Sequence, residues 1–155
     1  PTAGTKWANG KTNLLSWQSG LLEDLDEFDI EMQRFSVAGL SYVAHNVPAT
    51  MNSLNIYLDN VPTGDDYYVM FLNWTGGTLY ATSDAFTVAS TGTATSDPSA
   101  PTISLTHKPN TVEQFAATFS SSGLRGWTMP QGSSFQLLVA LCAVAIGILG
   151  GALTL

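Results

Sequence analysis

Residues 1–88 predict an all-β fold, an antiparallel β-sandwich, on three observations. Apolar and polar residues alternate with a period of two in several short stretches, which is the spacing of strands that bury one face. Turn residues recur roughly every 8 to 12 positions, and no strand–helix–strand alternation runs through the chain.

The elements follow in order. Thr12 to Gln18 sets Leu15 and Trp17 on one face and Leu14, Ser16 and Gln18 on the other. Leu21, Leu25, Phe28, Met32 and Phe35 fall at helical spacing, so Leu21 to Phe35 admits an amphipathic helix. However, Phe28, Ile30 and Met32 also alternate with Asp29, Glu31 and Gln33, and a helix would crowd Glu23, Asp24, Asp26 and Glu27 into one or two turns. A loop followed by a strand is the preferred reading. Leu54, Ile56 and Leu58 alternate with Asn55, Tyr57 and Asp59 and make the clearest strand. Pro62 and Gly64 mark a turn from Val61 to Asp66, after which Tyr67, Val69 and Phe71 share a face. Phe86 and Val88 close the run.

Composition divides the chain into three parts: 1–88, 89–122 and 123–155. The first carries ten Asp or Glu and three Lys or Arg, together with the alternating apolar positions that make a core. From Ala89 to Ser122, Ser, Thr, Ala and Pro dominate. So few large apolar side chains do not offset the entropy of ordering a segment, and a disordered Ser/Thr-rich stalk is expected there. Ser and Thr mixed with Pro is also the composition of O-glycosylated stalks; a plain flexible linker is the alternative.

The third part ends in 21 residues, Phe135 to Leu155, with no charged side chain. That is enough to cross a hydrocarbon core of about 30 Å as a helix. No Lys or Arg follows, as one would on the cytoplasmic side of a permanent span. Upstream stand the small residues Ser120, Ser121, Ser122 and Gly123, then an 11-residue spacer from Leu124 to Ser134. Small residues, spacer and apolar tail in this order form a GPI attachment signal. Ser121 is the expected attachment residue, because Ser122 and Gly123 follow it as small neighbours. Ser120 fits almost as well, whereas Ser122 sets the bulkier Leu124 two positions on. A single-span anchor and a buried core helix are the competing readings. The start at Pro1, without an apolar leader, carries the matching expectation that a secretory signal has been removed. Cys142 is the one cysteine and lies in the tail, so the expected mature domain holds together without disulfides.

Several of these segments together resemble a known family. They are an opening strand bearing Trp7, a second ending in Ser16-Trp17, an outward-acidic strand from Asp29 to Gln33, and the run from Val61 to Val69. With the closing Ser83-Asp84-Ala85-Phe86-Thr87-Val88, they resemble the Knh-like domain, a module named after yeast cell-wall proteins needed for β-1,6-glucan assembly and found in small Ser/Thr-rich GPI-anchored fungal proteins. The resemblance spans about residues 5 to 88. It implies an immunoglobulin-like or fibronectin-like sandwich at the fungal cell surface, and it brings no catalytic residue with it. Tyr67, following the Pro62 and Gly64 turn, is placed to fold back and hydrogen-bond the backbone, as in the tyrosine corner of Greek-key sandwiches.

Catalytic and metal chemistry have little to work with. His45 and His107 are the only histidines, and His107 falls in the expected stalk. With no cysteine outside the tail, a zinc site of ordinary ligand type is not expected, nor is any other metal or cofactor. Glycoside hydrolysis needs two carboxyls facing across a cleft. Glu23, Asp24, Asp26 and Glu27 instead read as a solvated acidic loop, and no EF-hand spacing is present. Asn73-Trp74-Thr75 is the only N-glycosylation sequon, expected at an exposed hairpin end beside Gly76-Gly77. Trp74 and Tyr80 flank that hairpin; core or turn packing is the preferred reading of both rings, with stacking on a glycan as the alternative, which a glycan on Asn73 would crowd.

A net charge of −7 without a basic patch is unfavourable for phosphate backbones, so nucleic acid is not an expected partner. The expected setting is the extracellular face of the plasma membrane, through a GPI anchor, or the cell wall. The leading function is a non-enzymatic surface protein contributing to wall organisation or assembly. The alternatives are a carbohydrate-binding module for wall glucan or chitin and an adhesion or host-interaction protein.

Overall fold

The computed structural model describes residues 1–18, 25–106 and 114–120, which form an all-β unit. No helix occurs among the described residues. Ten strands follow one another: β1 (Lys6–Ala8), β2 (Thr12–Ser16), β3 (Glu27–Arg34), β4 (Leu40–Pro48), β5 (Ser53–Asp59), β6 (Gly64–Asn73), β7 (Thr78–Thr82), β8 (Phe86–Ala89), β9 (Thr102–Thr106) and β10 (Ala117–Thr118).

They form two sheets. The larger runs β1-β8-β6-β3-β4-β10, with β7 added to the edge of β6 beside β8; the smaller runs β2-β5-β9. Alternation explains why both sheets bury a common face. Phe28, Ile30 and Met32 of β3 and Tyr67 and Val69 of β6 meet Leu15 of β2, Leu54, Ile56 and Leu58 of β5, and Ile103 and Leu105 of β9 in one apolar core. Trp7 and Phe86 pack with ring centroids 4.6 Å apart and tie β1 and β8 to that core.

The strands expected at Thr12, Leu54, Tyr67 and Phe86 all form, and Glu27 to Arg34 is a strand rather than a helix. Residues 19–24, which carry Glu23 and Asp24, lie outside the described residues. Two expectations are corrected. The sheets are mixed rather than purely antiparallel: β1 with β8, β5 with β9, and β4 with β10 pair in parallel. The segment expected as a disordered stalk is part of the fold in its described portions. Thr102 to Thr106 pairs along β5 with Ile103 and Leu105 each 4 % exposed. Its composition is low in bulk but carries those two apolar residues at strand spacing, which is enough when a partner strand is present.

Side-chain amides supply the rest of that order. Buried Asn55 donates from Nδ2 to the Asp97 and Ala100 carbonyls (2.6 and 3.0 Å) and accepts the Asp97 N–H at 2.9 Å. A single amide thus satisfies the backbone of the approach to β9, which has few apolar side chains to hold it. Asn13 does the same for the β1–β2 turn, accepting from the Ala8 N–H and donating to the Ala8 and Lys11 carbonyls.

Tyr67 folds back as expected, donating its hydroxyl to the Pro62 carbonyl at 2.5 Å. The turn before it is fixed by a close approach: a Cβ on Gly64 would sit 2.5 Å from Arg34 Nε. That space lets the Arg34 guanidinium reach Asp66 at 2.8 Å. Asp66 also accepts the Ser36 N–H at 2.7 Å, so the β3–β4 hairpin tip is held while Phe35 is left 82 % exposed.

Candidate functional site

The outer face of the larger sheet carries the most elaborate polar and aromatic arrangement of the described residues, and it is built around β3. Asp29 and Glu31 point away from the shared core, as their alternation with Ile30 requires. Although they face outward, both are buried, at 5 % and 4 % exposure. A central strand has neighbours on both edges, so even its outer face is shaded by β4 and β6 side chains.

Asp29 is a hub. Its Oδ1 accepts from His45 Nδ1 at 2.6 Å and from the Asn46 N–H at 3.0 Å, and its Oδ2 accepts the Trp74 N–H at 2.9 Å. One carboxylate therefore joins β3, β4 and the β6–β7 turn. The β4 backbone is shaped for this. The β3–β4 register shifts on both sides of Ile30, and Asn46 has φ 55°, a left-handed conformation that Asn tolerates better than most residues. Because a carboxylate only accepts, the His45 hydrogen on this contact sits on Nδ1.

Glu31 neighbours Tyr42 on β4 and Met70 on β6 in the register. Burial, and then the negative charge of Asp29, push the Glu31 carboxyl above its ordinary range.

An aromatic cluster covers this polar layer. Phe115 lies flat against His45, with ring centroids 4.9 Å apart and planes at 19°. Tyr42 meets Phe115 edge-on at 5.2 Å and Trp74 meets it at 6.3 Å, at 74° and 89°. The strap bearing Phe115 is fastened to β4: the Ala116 N–H donates to the Tyr42 carbonyl, the Phe119 N–H donates to the His45 carbonyl, and Ala117 and Thr118 pair with Ala44 and His45. Phe119 and Ala117 pack on the margin of the core.

The residues singled out in the sequence separate here. Trp74 is 39 % exposed and joins the cluster. Tyr80 packs against the core instead, so the two rings expected to flank one glycan site do not form a common surface. Asn73 is exposed at the end of β6, and its Oδ1 accepts the Gly76 N–H at 2.7 Å, which makes the sequon a tight turn. His45 enters the cluster; His107 lies outside the described residues. Of the acidic run, Asp26 is exposed and Glu27 half-buried. Ser120 is exposed one residue past Phe119, while Ser121, Ser122 and the apolar tail lie outside the described residues. No helix long and apolar enough to cross a membrane occurs among the described residues, nor does a group of three or more His, Cys, Asp or Glu placed to hold a metal ion.

Sequence reasoning missed Phe115 and Tyr42. A signal for Phe115 exists in the spacing of Phe115, Ala117 and Phe119, a strand-like alternation inside a Ser/Thr-rich context.

No family model, curated protein or solved structure matches this chain.

Proposed function

We propose that this chain is a non-enzymatic cell-surface protein, a Knh-like module with an immunoglobulin-like or fibronectin-like sandwich, attached by a GPI anchor or passed on to the cell wall, where it contributes to wall organisation. The observation that carries this reading is the order of segments: a β unit, small residues from Ser120 to Gly123, an 11-residue spacer from Leu124 to Ser134 and a tail without charge. The Tyr67 to Pro62 hydrogen bond and the single core shared by two sheets support the sandwich reading.

The same reading changes the picture of the tether. Phe119 packs against the core one position before Ser120. Attachment at Ser120 or Ser121 therefore leaves the domain close to its anchor, with no long stalk between them. The test is phospholipase release of the protein from intact cells, followed by mass spectrometry of its carboxyl terminus. Release with a terminus between Ser120 and Ser122 is expected. Mature molecules that retain Leu155 would sink the proposal.

A second reading, carbohydrate binding, is favoured by one specific observation. Trp74, Phe115 and Tyr42 form an aromatic cluster at the surface, pre-set by Asp29 and His45. Rings held in place before a ligand arrives lose little entropy on binding. Retention on insoluble β-glucan or chitin tests it, with Trp74→Ala expected to reduce the bound fraction; a wall protein of purely structural role shows no such retention.

A further inference from the structure

Beside the aromatic cluster, the β4 edge of the larger sheet approaches β9 of the smaller one and leaves a cavity of about 220 Å³. Ser41, Tyr42, Ser104, Thr106, Gln114 and Phe115 line it, and no charged residue contributes to the described lining. We propose that this cleft is a subsite for one neutral sugar ring of a polysaccharide.

The chemistry of the walls selects the ligand class. A sugar ring presents an apolar C–H face and a rim of hydroxyl groups. Phe115 and Tyr42 offer rings for the first, and the Ser41, Ser104 and Thr106 hydroxyls and the Gln114 amide provide donors and acceptors for the second. β9 adds backbone groups, because it ends its sheet and one of its edges has no strand partner among the described residues. Charged ligands are poorly served. A phosphate or carboxylate finds no Lys or Arg in the described lining, and an ammonium finds no carboxylate there. The size agrees, since pockets for drug-sized molecules run to roughly 300–1,000 Å³.

The cleft is also pre-shaped. The strap holds Phe115 against His45, and the Ala116 N–H bond to the Tyr42 carbonyl at 2.9 Å fixes the two rings relative to each other. This site differs from the sequence expectation built on Trp74 and Tyr80, and it draws the Ser104 and Thr106 hydroxyls from the segment expected to be a stalk.

The subsite rests on the cell-surface reading only for the supply of its sugar. Its test is separate: the full chain, purified in a detergent without a sugar headgroup, is titrated with β-1,3- and β-1,6-linked glucose disaccharides and with the N-acetylglucosamine disaccharide, using glucosamine and glucuronic acid as charged controls, and binding is followed by calorimetry. Saturable binding of at least one neutral disaccharide is expected, weaker by tenfold or more in Ser104→Leu, which puts bulk at the cleft without touching the core. Thermal midpoints should match for the two proteins. Phe115→Ala should also weaken binding, but it loosens the strap, so Ser104→Leu is the deciding variant. The proposal is overturned if no neutral disaccharide binds, if Ser104→Leu binds as well as the parent, or if a charged sugar binds more tightly. Failure of phospholipase release with sugar binding intact would remove the anchor reading and leave the subsite standing.

Discussion

Phe115 lies against the imidazole of His45 with its ring centroid 4.9 Å away, joining a residue from the Ser/Thr-rich part of the chain to one in the middle of β4. Below that contact His45 is held by Asp29. The order of layers, carboxylate, imidazole and phenyl ring, means that a buried acid on the central strand determines where a distant strap docks.

Replacing Asp29 by Ala should therefore have effects beyond β3. It leaves the His45 Nδ1–H, the Asn46 N–H and the Trp74 N–H without their acceptor. A loss of about 3 kcal/mol is expected from buried donors left unsatisfied. Urea denaturation gives the size, and a changed Trp74 emission in the native baseline would report the freed β6–β7 turn. An Asp29→Ala protein as stable as the parent would contradict the hub.

Leu105→Ala tests whether the Ser/Thr-rich segment belongs to the core. Leu105 is 4 % exposed and packs in the shared cluster. Truncation should cost about 3 kcal/mol, the range for large-to-small core changes. A disordered stalk would register no change in thermal midpoint.

Glu31→Gln should stabilise the protein near neutral pH. Burial and Asp29 raise the Glu31 pKa in the folded state above its ordinary value of 4.5. The folded state thus binds this proton more tightly than the unfolded chain does. The contribution is fully present below the ordinary value and is lost as pH rises through the raised one. The variant should have the higher thermal midpoint at pH 7, and its advantage should vanish below about pH 4.5.

Asp66→Asn should flatten the acid limb of the stability curve. Hydrogen bonds from Ser36 and then the Arg34 guanidinium hold the Asp66 carboxyl at about 2, below its ordinary 3.8. With a lowered folded value the sign is reversed: the contribution is present above 3.8 and lost as pH falls toward 2. Thermal midpoints measured across that window should drop in the parent more than in the variant. Equal slopes would argue against the Asp66 clamp.

Much of the fold was legible from local pattern. Leu54, Ile56 and Leu58 face the core because a strand's side chains alternate, and no distant residue is needed to see it. The Tyr67 fold-back was legible too, since its acceptor lies in the preceding turn. The candidate site was not. Asp29 and Glu31 read only as the outward acids of a strand, and the flanking strands alone reveal that the outer face of β3 is covered. Trp74 is partly exposed and packs edge-on to Phe115 rather than with Tyr80, which lies on the core side at the bulged pairing of β6 with β7.

By itself the sequence determined the all-β class, the central strands, the turn before Tyr67, the sequon at Asn73 and the net charge of −7. All of these depend on neighbours within a few positions or on composition. Only the tertiary structure decided that β9 and β10 belong to the sheets, that three pairings are parallel, and that Asp29, His45, Phe115 and Trp74 meet. Those outcomes depend on which strand lies beside which. A segment poor in bulk, such as Thr102 to Thr106, becomes ordered through hydrogen bonds and burial supplied by β5, and such a partner leaves no mark in the segment's own residues.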